Sequence, residues 1–413
     1  MRKLKKIIFC ILTAVCLFVG ACFMVSCGGD GEATVLNVYN WGEYISDGSE
    51  GSLDVNAKFE EYCKEKGLNV KVNYSTFDSN ESMYNKLKSG AVSYDVVVPS
   101  EYMIERMIKE GMLETLNMAN IPNFQYIYDS FKTPFYDPDP NNVYSVPYFY
   151  GFVGIIYNTE FVEAKDAESW SILWNDKYNG KILQFNNPRD AFGTVQYKNG
   201  ISVNDTDEAK WRACLEELKA QKPLVQSYVM DEIFNKMKNG SAYIAPYYAG
   251  DFLSMYEDND SLAFSIPKEG TNIFVDAMCI PKGSKNKELA EMYINFMLEK
   301  EIGRANSEFV YYSTPNKLVN EDHKYIETMN GVHENAMDYI APDFIKDGYT
   351  GDYVTSYYHN LDEGTLVLMN SLWEELKIKG ESGNGIYIAC GVIVFAIAAL
   401  VVVRVIKNKR KLY

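Results

Sequence analysis

An apolar run lies near each end of the chain, and each run has a basic cluster on one side only. Arg2, Lys3, Lys5 and Lys6 precede Ile7 to Val25, and Arg404, Lys407, Lys409, Arg410 and Lys411 follow Gly385 to Val403. About 20 apolar residues suffice to cross a hydrocarbon core of about 30 Å, and basic clusters beside a span stay cytoplasmic. Both ends thus predict one topology, in which everything between the two runs lies outside the cytoplasm. Residues 385–403 are expected to form a transmembrane helix and 404–413 a basic cytoplasmic tail.

The order of charged start, apolar middle and small residue followed by Cys reads as an export signal over residues 1–27. The Ser26-Cys27 ending resembles a bacterial lipobox, in which Cys27 becomes the lipidated first residue of the mature chain. Cys22, after Ala21, is a competing acceptor, and an uncleaved membrane helix is the alternative for the whole segment.

The charge of the exported part exceeds that of the chain. Nine of the 40 Lys and Arg lie outside the two apolar runs, which leaves 31 against all 56 Asp and Glu, a net charge of −25. Such a surface repels nucleic acid and anionic lipid and gathers cations. Cysteine is uninformative for chemistry: between the runs only Cys63, Cys214 and Cys279 remain, an odd number at wide spacing with no CxxC, so they read as small buried apolar residues.

The roughly 350 residues between the runs exceed one comfortable core, so two domains are expected. Val35 to Trp41 reads as a buried strand, Val55 to Lys66 as an amphipathic helix ended by Gly67, and Leu68 to Ser75 as a second strand. Glu81 to Ser89, closed by Gly90, reads as a helix, and Tyr94 to Val98 as a third strand running into Pro99-Ser100 and a further helix. Strands separated by helices imply a parallel sheet and an α/β class. Tyr144 to Ile156 is apolar and aromatic without helical period and reads as an extended connector; Leu262 to Pro267 is a similar stretch before a strand at Ile273 to Ile280. Two such crossings divide the chain into two lobes with a cleft between them.

The chain holds three His, namely His323, His333 and His359, at spacings that fit no metal site and no triad. HExxH, GxSxG, a strand-borne GxGxxG and a Walker loop are missing from the sequence. No cofactor and no metal are therefore expected, and an enzyme is not; paired carboxylates alone can cleave glycosides, which keeps an extracellular hydrolase as a rival. Aromatic residues are abundant, with 32 Tyr, 21 Phe and 5 Trp. Some stand where strands end, in Asn40-Trp41-Gly42-Glu43-Tyr44 and Ser100-Glu101-Tyr102, and open α/β sheets bind ligands beyond the carboxyl ends of their strands. Rings alternating with carboxylates suit a ligand that is both hydrocarbon and cation. Ser100 also reads as a helix N-cap, and Glu101 and Asp251 read as solvated.

At these residues the chain resembles the spermidine/putrescine-binding proteins of bacterial polyamine ABC importers, from about Leu36 to Gly380. The blocks that carry the resemblance are Val38-Tyr39-Asn40-Trp41 with Glu43-Tyr44, Tyr74 to Glu81, Tyr94 to Ser100, Tyr144 to Tyr148, Ile266 to Gly270 and Ser313 to Asn316. The resemblance implies the two-lobed, type II periplasmic-binding-protein fold with two crossings, one lobe at 33–148 and 270–318 and the other at 149–269 and 319–378. It implies a polyamine held by aromatic walls at Trp41 and Tyr44, an ammonium partner at Glu43, a rim at Ser100 and Tyr102, and a carboxylate for a terminal ammonium at Asp276. Phe274 and Tyr248 stand where the family often has Trp, and Tyr312 is expected to close the pocket near a hinge.

In Asn186-Asn187-Pro188-Arg189-Asp190 the family pattern is closer to Asp-Asp-Ala-Arg-Glu, so Asp190 keeps one carboxylate of the second lobe and Asn187 replaces another. One anion fewer favours a dication, and putrescine is expected to bind at least as well as spermidine, between Asp276 and Asp190. The resemblance implies one further position, a Gln near the family's C-terminus, for which His359 is the candidate here. The partners implied are a polyamine and a membrane permease, with no nucleic acid, for a membrane-anchored monomer. A sugar or other organic solute on the same fold is the alternative ligand, and a signalling role for the same capture is compatible with the C-terminal span.

Overall fold

The computed structural model describes residues 32–141, 143–342 and 355–378. The export segment with Cys22 and Cys27, the run at 385–403 and the basic tail lie outside the described residues. Among the described residues no helix is long and apolar enough to cross a membrane.

The strand and helix alternation read from the first hundred residues is present. β1 (Thr34–Trp41) lies parallel to β2 (Val70–Phe77), with Thr34 opposite Val70 and Trp41 opposite Phe77. On its other side it lies parallel to β3 (Val96–Val97). α1 (Val55–Glu65) and α2 (Asn80–Ser89) make the crossovers. The Asp54 side chain caps α1 by accepting from the Ala57 amide at 2.8 Å, and the Ser79 hydroxyl caps α2 through the Ser82 amide at 3.2 Å, each satisfying an amide left free in a first helical turn. Gly90 ends α2 at φ 64°, a left-handed conformation without steric cost for glycine. α3 (Glu101–Lys109) follows β3.

The apolar stretch read as a connector is β4 (Ser145–Asn158), a single strand in which every residue is buried. A strand covered on both faces reads as an unbroken apolar run, which is why its sequence shows no alternation. Further along the chain come β5 (Ile182–Phe185), β6 (Val225–Val229), β7 (Ile244–Tyr248), β8 (Leu262–Ser265), β9 (Thr271–Cys279) and β10 (Thr355–Tyr357). The sheet order is β2-β1-β3-β9-β4-β7-β5-β6, with β10 beside β9 and β8 beside β4. β4 therefore belongs to both halves: Ser145 to Phe152 run antiparallel to β9, and Val153 to Tyr157 run antiparallel to β7. The second stretch expected as a crossing, Leu262 to Pro267, begins as β8 against Ile155 to Asn158. The chain then returns along β9, which completes the first half by pairing Cys279 with Val97 of β3.

In the second half α4 (Pro188–Lys198), α5 (Glu208–Gln221), α6 (Glu232–Lys238) and α7 (Ala249–Asp258) surround the strands, and α4, α6 and α7 start just beyond the ends of β5, β6 and β7. β5 is parallel to β6 and to β7. The carboxyl ends of β1, β2 and β3 from one half, and of β5, β6 and β7 from the other, supply Trp41, Asp78, Ser100, Asn187, Met230 and Tyr248 to one shared cavity. This is the place where open α/β sheets take ligands. Cys63, Cys214 and Cys279 are unbridged and buried, consistent with their reading as small apolar residues.

Candidate functional site

The cavity is lined by all eleven residues singled out from the sequence as ligand contacts: Trp41, Glu43, Tyr44, Ser100, Tyr102, Asn187, Asp190, Tyr248, Phe274, Asp276 and Tyr312. It offers about 80 Å³ to the centre of a water-sized sphere, where one water needs roughly 10–15 Å³ on that measure. A short chain of atoms therefore fits. Among the described residues seven acidic side chains line it against one basic, Arg189, and ten aromatic rings complete the wall.

On the first half the anchor is Asp276, in the middle of β9 and 4% exposed. The Ser100 hydroxyl donates to its Oδ1 at 2.6 Å, and the Tyr44 hydroxyl to its Oδ2 at 2.6 Å. The Trp41 indole N–H approaches the same carboxylate and has no well-formed partner among the described residues. Ser100 occupies the N-cap position of α3, yet its side chain makes no capping bond; its hydroxyl serves Asp276, which corrects the capping alternative. Asn80 holds this corner, donating to Ser100 Oγ at 3.0 Å and to the Tyr102 hydroxyl at 3.1 Å. Burial pushes the Asp276 carboxyl up to about 6, against the lowering effect of its donors. Phe274, two residues earlier on the strand, packs edge-on to Tyr248 with ring centroids 5.3 Å apart, as the period of two along a strand places it on the Asp276 face.

On the second half the anchor is Asp190, in the first turn of α4 and 6% exposed. Its Oδ2 accepts from Asn187 Nδ2 at 2.9 Å and from the Tyr248 hydroxyl at 2.9 Å. Asn187 is also the N-cap of α4, accepting from the Arg189 amide at 3.0 Å. Burial again raises the carboxyl to about 6, opposed by the hydroxyls of Tyr248 and Tyr358. Arg189, although adjacent, does not pair with it: its guanidinium donates to Val203 O at 3.0 Å, Asn204 Oδ1 at 2.9 Å and His359 O at 3.1 Å.

Asp251 is 8% exposed rather than solvated; Tyr312 donates to its Oδ2 at 2.7 Å, and burial raises its carboxyl to about 8. Glu101 is fully buried in the cavity wall, and burial raises it well above the usual carboxylate range. His359 does not line the cavity; its ring lies against Phe135 and 3.7 Å from Glu105, while the neighbouring Tyr358 turns into the wall. Residues that the sequence reading did not single out include Asp231, Asp78, Arg189, Tyr247 and Tyr358. The position just past a parallel strand was the signal available for Asp78 and Asp231.

Glu43, Asp78 and Asp231 form an exposed acidic mouth. Partial desolvation, and after it the charges of Glu43 and Asp78, raise the Asp231 carboxyl although solvent still reaches it. Glu43 has φ 47°, a left-handed conformation that costs a non-glycine residue energy and recurs at functional sites. Two glycines permit the approach of the walls: a Cβ on Gly42 would collide with the Asp231 carboxylate, and one on Gly250 would lie 2.6 Å from the Tyr312 ring. Among the described residues no group of three or more His, Cys, Asp or Glu is disposed to hold a metal ion.

Two α/β halves joined by a shared strand, with a carboxylate-lined cavity between their strand ends, define a solute-capturing class of protein. The chain belongs to the bacterial extracellular solute-binding proteins, whose family model matches residues 92–339. It is 35% identical over 289 residues to the spermidine/putrescine-binding periplasmic protein of Escherichia coli (strain K12), covering 69% of this chain and 78% of that one. It is 29% identical over 319 residues to the putrescine-binding periplasmic protein PotF of the same organism, covering 73% and 83%. Among solved structures it is similar to the spermidine/putrescine ABC transporter substrate-binding protein PotD of Streptococcus pneumoniae strain Canada MDR_19A, with TM-score 0.64, 32% identity and coverage of 84% of this chain and 99% of that one. A Listeria monocytogenes protein described as a spermidine/putrescine ABC transporter gives TM-score 0.74 at 34% identity, covering 84% and 100%.

Proposed function

We propose that the chain is the extracytoplasmic substrate-binding component of a polyamine ABC importer, and that the ligand lies in the cavity with one terminal ammonium at Asp276 and another at Asp190. The observation that carries this reading is that buried carboxyls line the cavity with no cation paired to them among the described residues. Removing an ion from water costs several kcal/mol unless an opposite charge repays it. Among the described residues the hydrogen bonds to Asp276, Asp190 and Asp251 come from hydroxyl and amide groups, and Arg189 is turned to other acceptors. An alkyl polyamine supplies what is missing: ammonium groups for the carboxylates, and methylenes for the rings of Trp41, Tyr44, Tyr248 and Phe274. Cation-π attraction adds about 0.5–2 kcal/mol per well-placed ring. The names of the relatives agree with this ligand class.

The boundaries proposed for the lobes are 33–148 with 270–318 and 149–269 with 319–378. Closure about β4 and β9 would bring both walls onto the ligand, and a ligand shifts such an equilibrium only through higher affinity for the closed form. Lipidation at Cys27 and a span at 385–403 are proposed as anchors. A thermal-shift screen of the full chain against polyamines and sugars is expected to show stabilisation by polyamines alone. Stabilisation by a sugar, undiminished by salt or by added diamine, would replace the polyamine with a neutral solute on the same fold.

A further inference from the structure

Glu101 is not explained by a site built from Asp276 and Asp190 alone. It lies in the first turn of α3, fully buried, and lines the cavity. Its Oε2 accepts from the Val275 amide at 3.0 Å, which fixes the side chain across β9 beside Asp276. Its Oε1 has no hydrogen-bond partner among the described residues. An acceptor buried without a donor carries its full desolvation penalty, so the position calls for a donor from elsewhere. The charges of Asp276 and of Asp190 both reach Glu101, so it stands within the field of the two carboxylates assigned to the ligand's ends.

Resting on the polyamine reading, we infer that Glu101 receives the interior, secondary ammonium of a triamine whose ends lie at Asp276 and Asp190, so that this cavity selects a trication over a diamine. A diamine presents only methylenes between its two charges and leaves Oε1 without a donor. A triamine presents an NH₂⁺ group there, whose charge offsets the repulsion among three carboxylates and lets Glu101 release to solvent the proton that burial favours in the empty cavity. The preference anticipated from Asn187 is thereby reversed. Asn187 removes one anion from the far wall, and Glu101, which the sequence suggested was solvated, adds one to the near wall. The competing explanation is local, because the Tyr136 hydroxyl is also buried without a partner and interacts electrostatically with Glu101.

Titration calorimetry on the full-length protein in detergent, with spermidine and with putrescine, separates these. The wild type is expected to bind spermidine at least tenfold tighter. Glu101→Gln keeps the volume and an acceptor for the Val275 amide; it is expected to weaken spermidine tenfold or more and putrescine less than twofold. Tyr136→Phe is expected to leave the ratio of the two affinities unchanged. Equal weakening of both ligands by Glu101→Gln, no weakening, or reproduction of its effect by Tyr136→Phe would overturn the inference. So would a wild type that binds putrescine as tightly as spermidine, which needs no variant to fold. A wild type that binds neither amine fails at the polyamine reading itself.

Discussion

The wall of the cavity and its mouth are both acidic, yet they hold their charge in opposite ways. Asp276, Asp190, Asp251 and Glu101 are buried and fixed by named donors, and burial raises each of them. Glu43, Asp78 and Asp231 face solvent, where water and salt screen a charge within about 10 Å at 0.1 M ionic strength. The wall can therefore discriminate among cations at short range, and the mouth can only raise their local concentration. On the proposed function the same residue type would hold the ligand in one place and gather it in the other, and enclosure decides which.

The difference between wall and mouth is largest at Asp276. Asp276→Asn keeps the shape and leaves an ammonium without its counter-charge, a loss of about 3–5 kcal/mol for a buried pair, so affinity is expected to fall by more than 100-fold in calorimetry. A fall below tenfold would make the wall no different from the mouth. Acidity tests the same point without a variant. Burial raises the carboxyls of Asp276 and Asp190 to about 6 and that of Asp251 to about 8, while the amines stay charged. At pH 5 each of the two carboxyls proposed for the ligand's ends lies about one unit below its pKa, so that pair alone is expected to make binding about 100-fold weaker than at pH 8, roughly tenfold for each.

The empty protein should show the opposite trend. These carboxyls have folded values above the 3.8 taken for the free group, so the folded state binds more protons. Their contribution is fully present below about pH 4 and is lost as the pH rises through 6 and then 8. Calorimetric melting of the ligand-free chain is expected to show less stability at pH 8.5 than at pH 5 from this source, and added ligand should narrow the gap. A smaller effect belongs to Tyr248→Phe, which removes one of two donors to Asp190 Oδ2 and should cost about 0.5–1.5 kcal/mol, a few-fold in affinity. The smallest belongs to Asp231→Asn. It should lower the association rate in stopped flow by less than threefold and flatten its salt dependence, with little change in equilibrium affinity.

Much of the fold was legible because β1, α1 and α2 announce themselves locally, through apolar period, caps and Gly90. β4 was legible as extended but not as a strand shared by two halves, since its partners β9 and β7 lie about 100 residues further on. The eleven lining residues came from motif resemblance and from their place beyond strand ends. Glu101 and Asp251 misled for a common reason: an acid in the first turn of a helix is favoured there by the helix dipole alone, and nothing local shows that β9 or Tyr312 will cover it. Tyr358 was missed by one position, because in an extended segment neighbouring side chains point to opposite faces.

The pairing of Val97 with Cys279 has a consequence for biogenesis. The N-terminal sheet lacks its inner strand until some 280 residues have been made, so this half cannot fold as it emerges and its topology is of the slow, non-local kind. On the proposed extracytoplasmic placement the chain would be threaded across a membrane as an extended polymer, and there such tardiness is an asset: the barrier that delays folding would keep the polypeptide transport-competent until its last pairing strand has arrived.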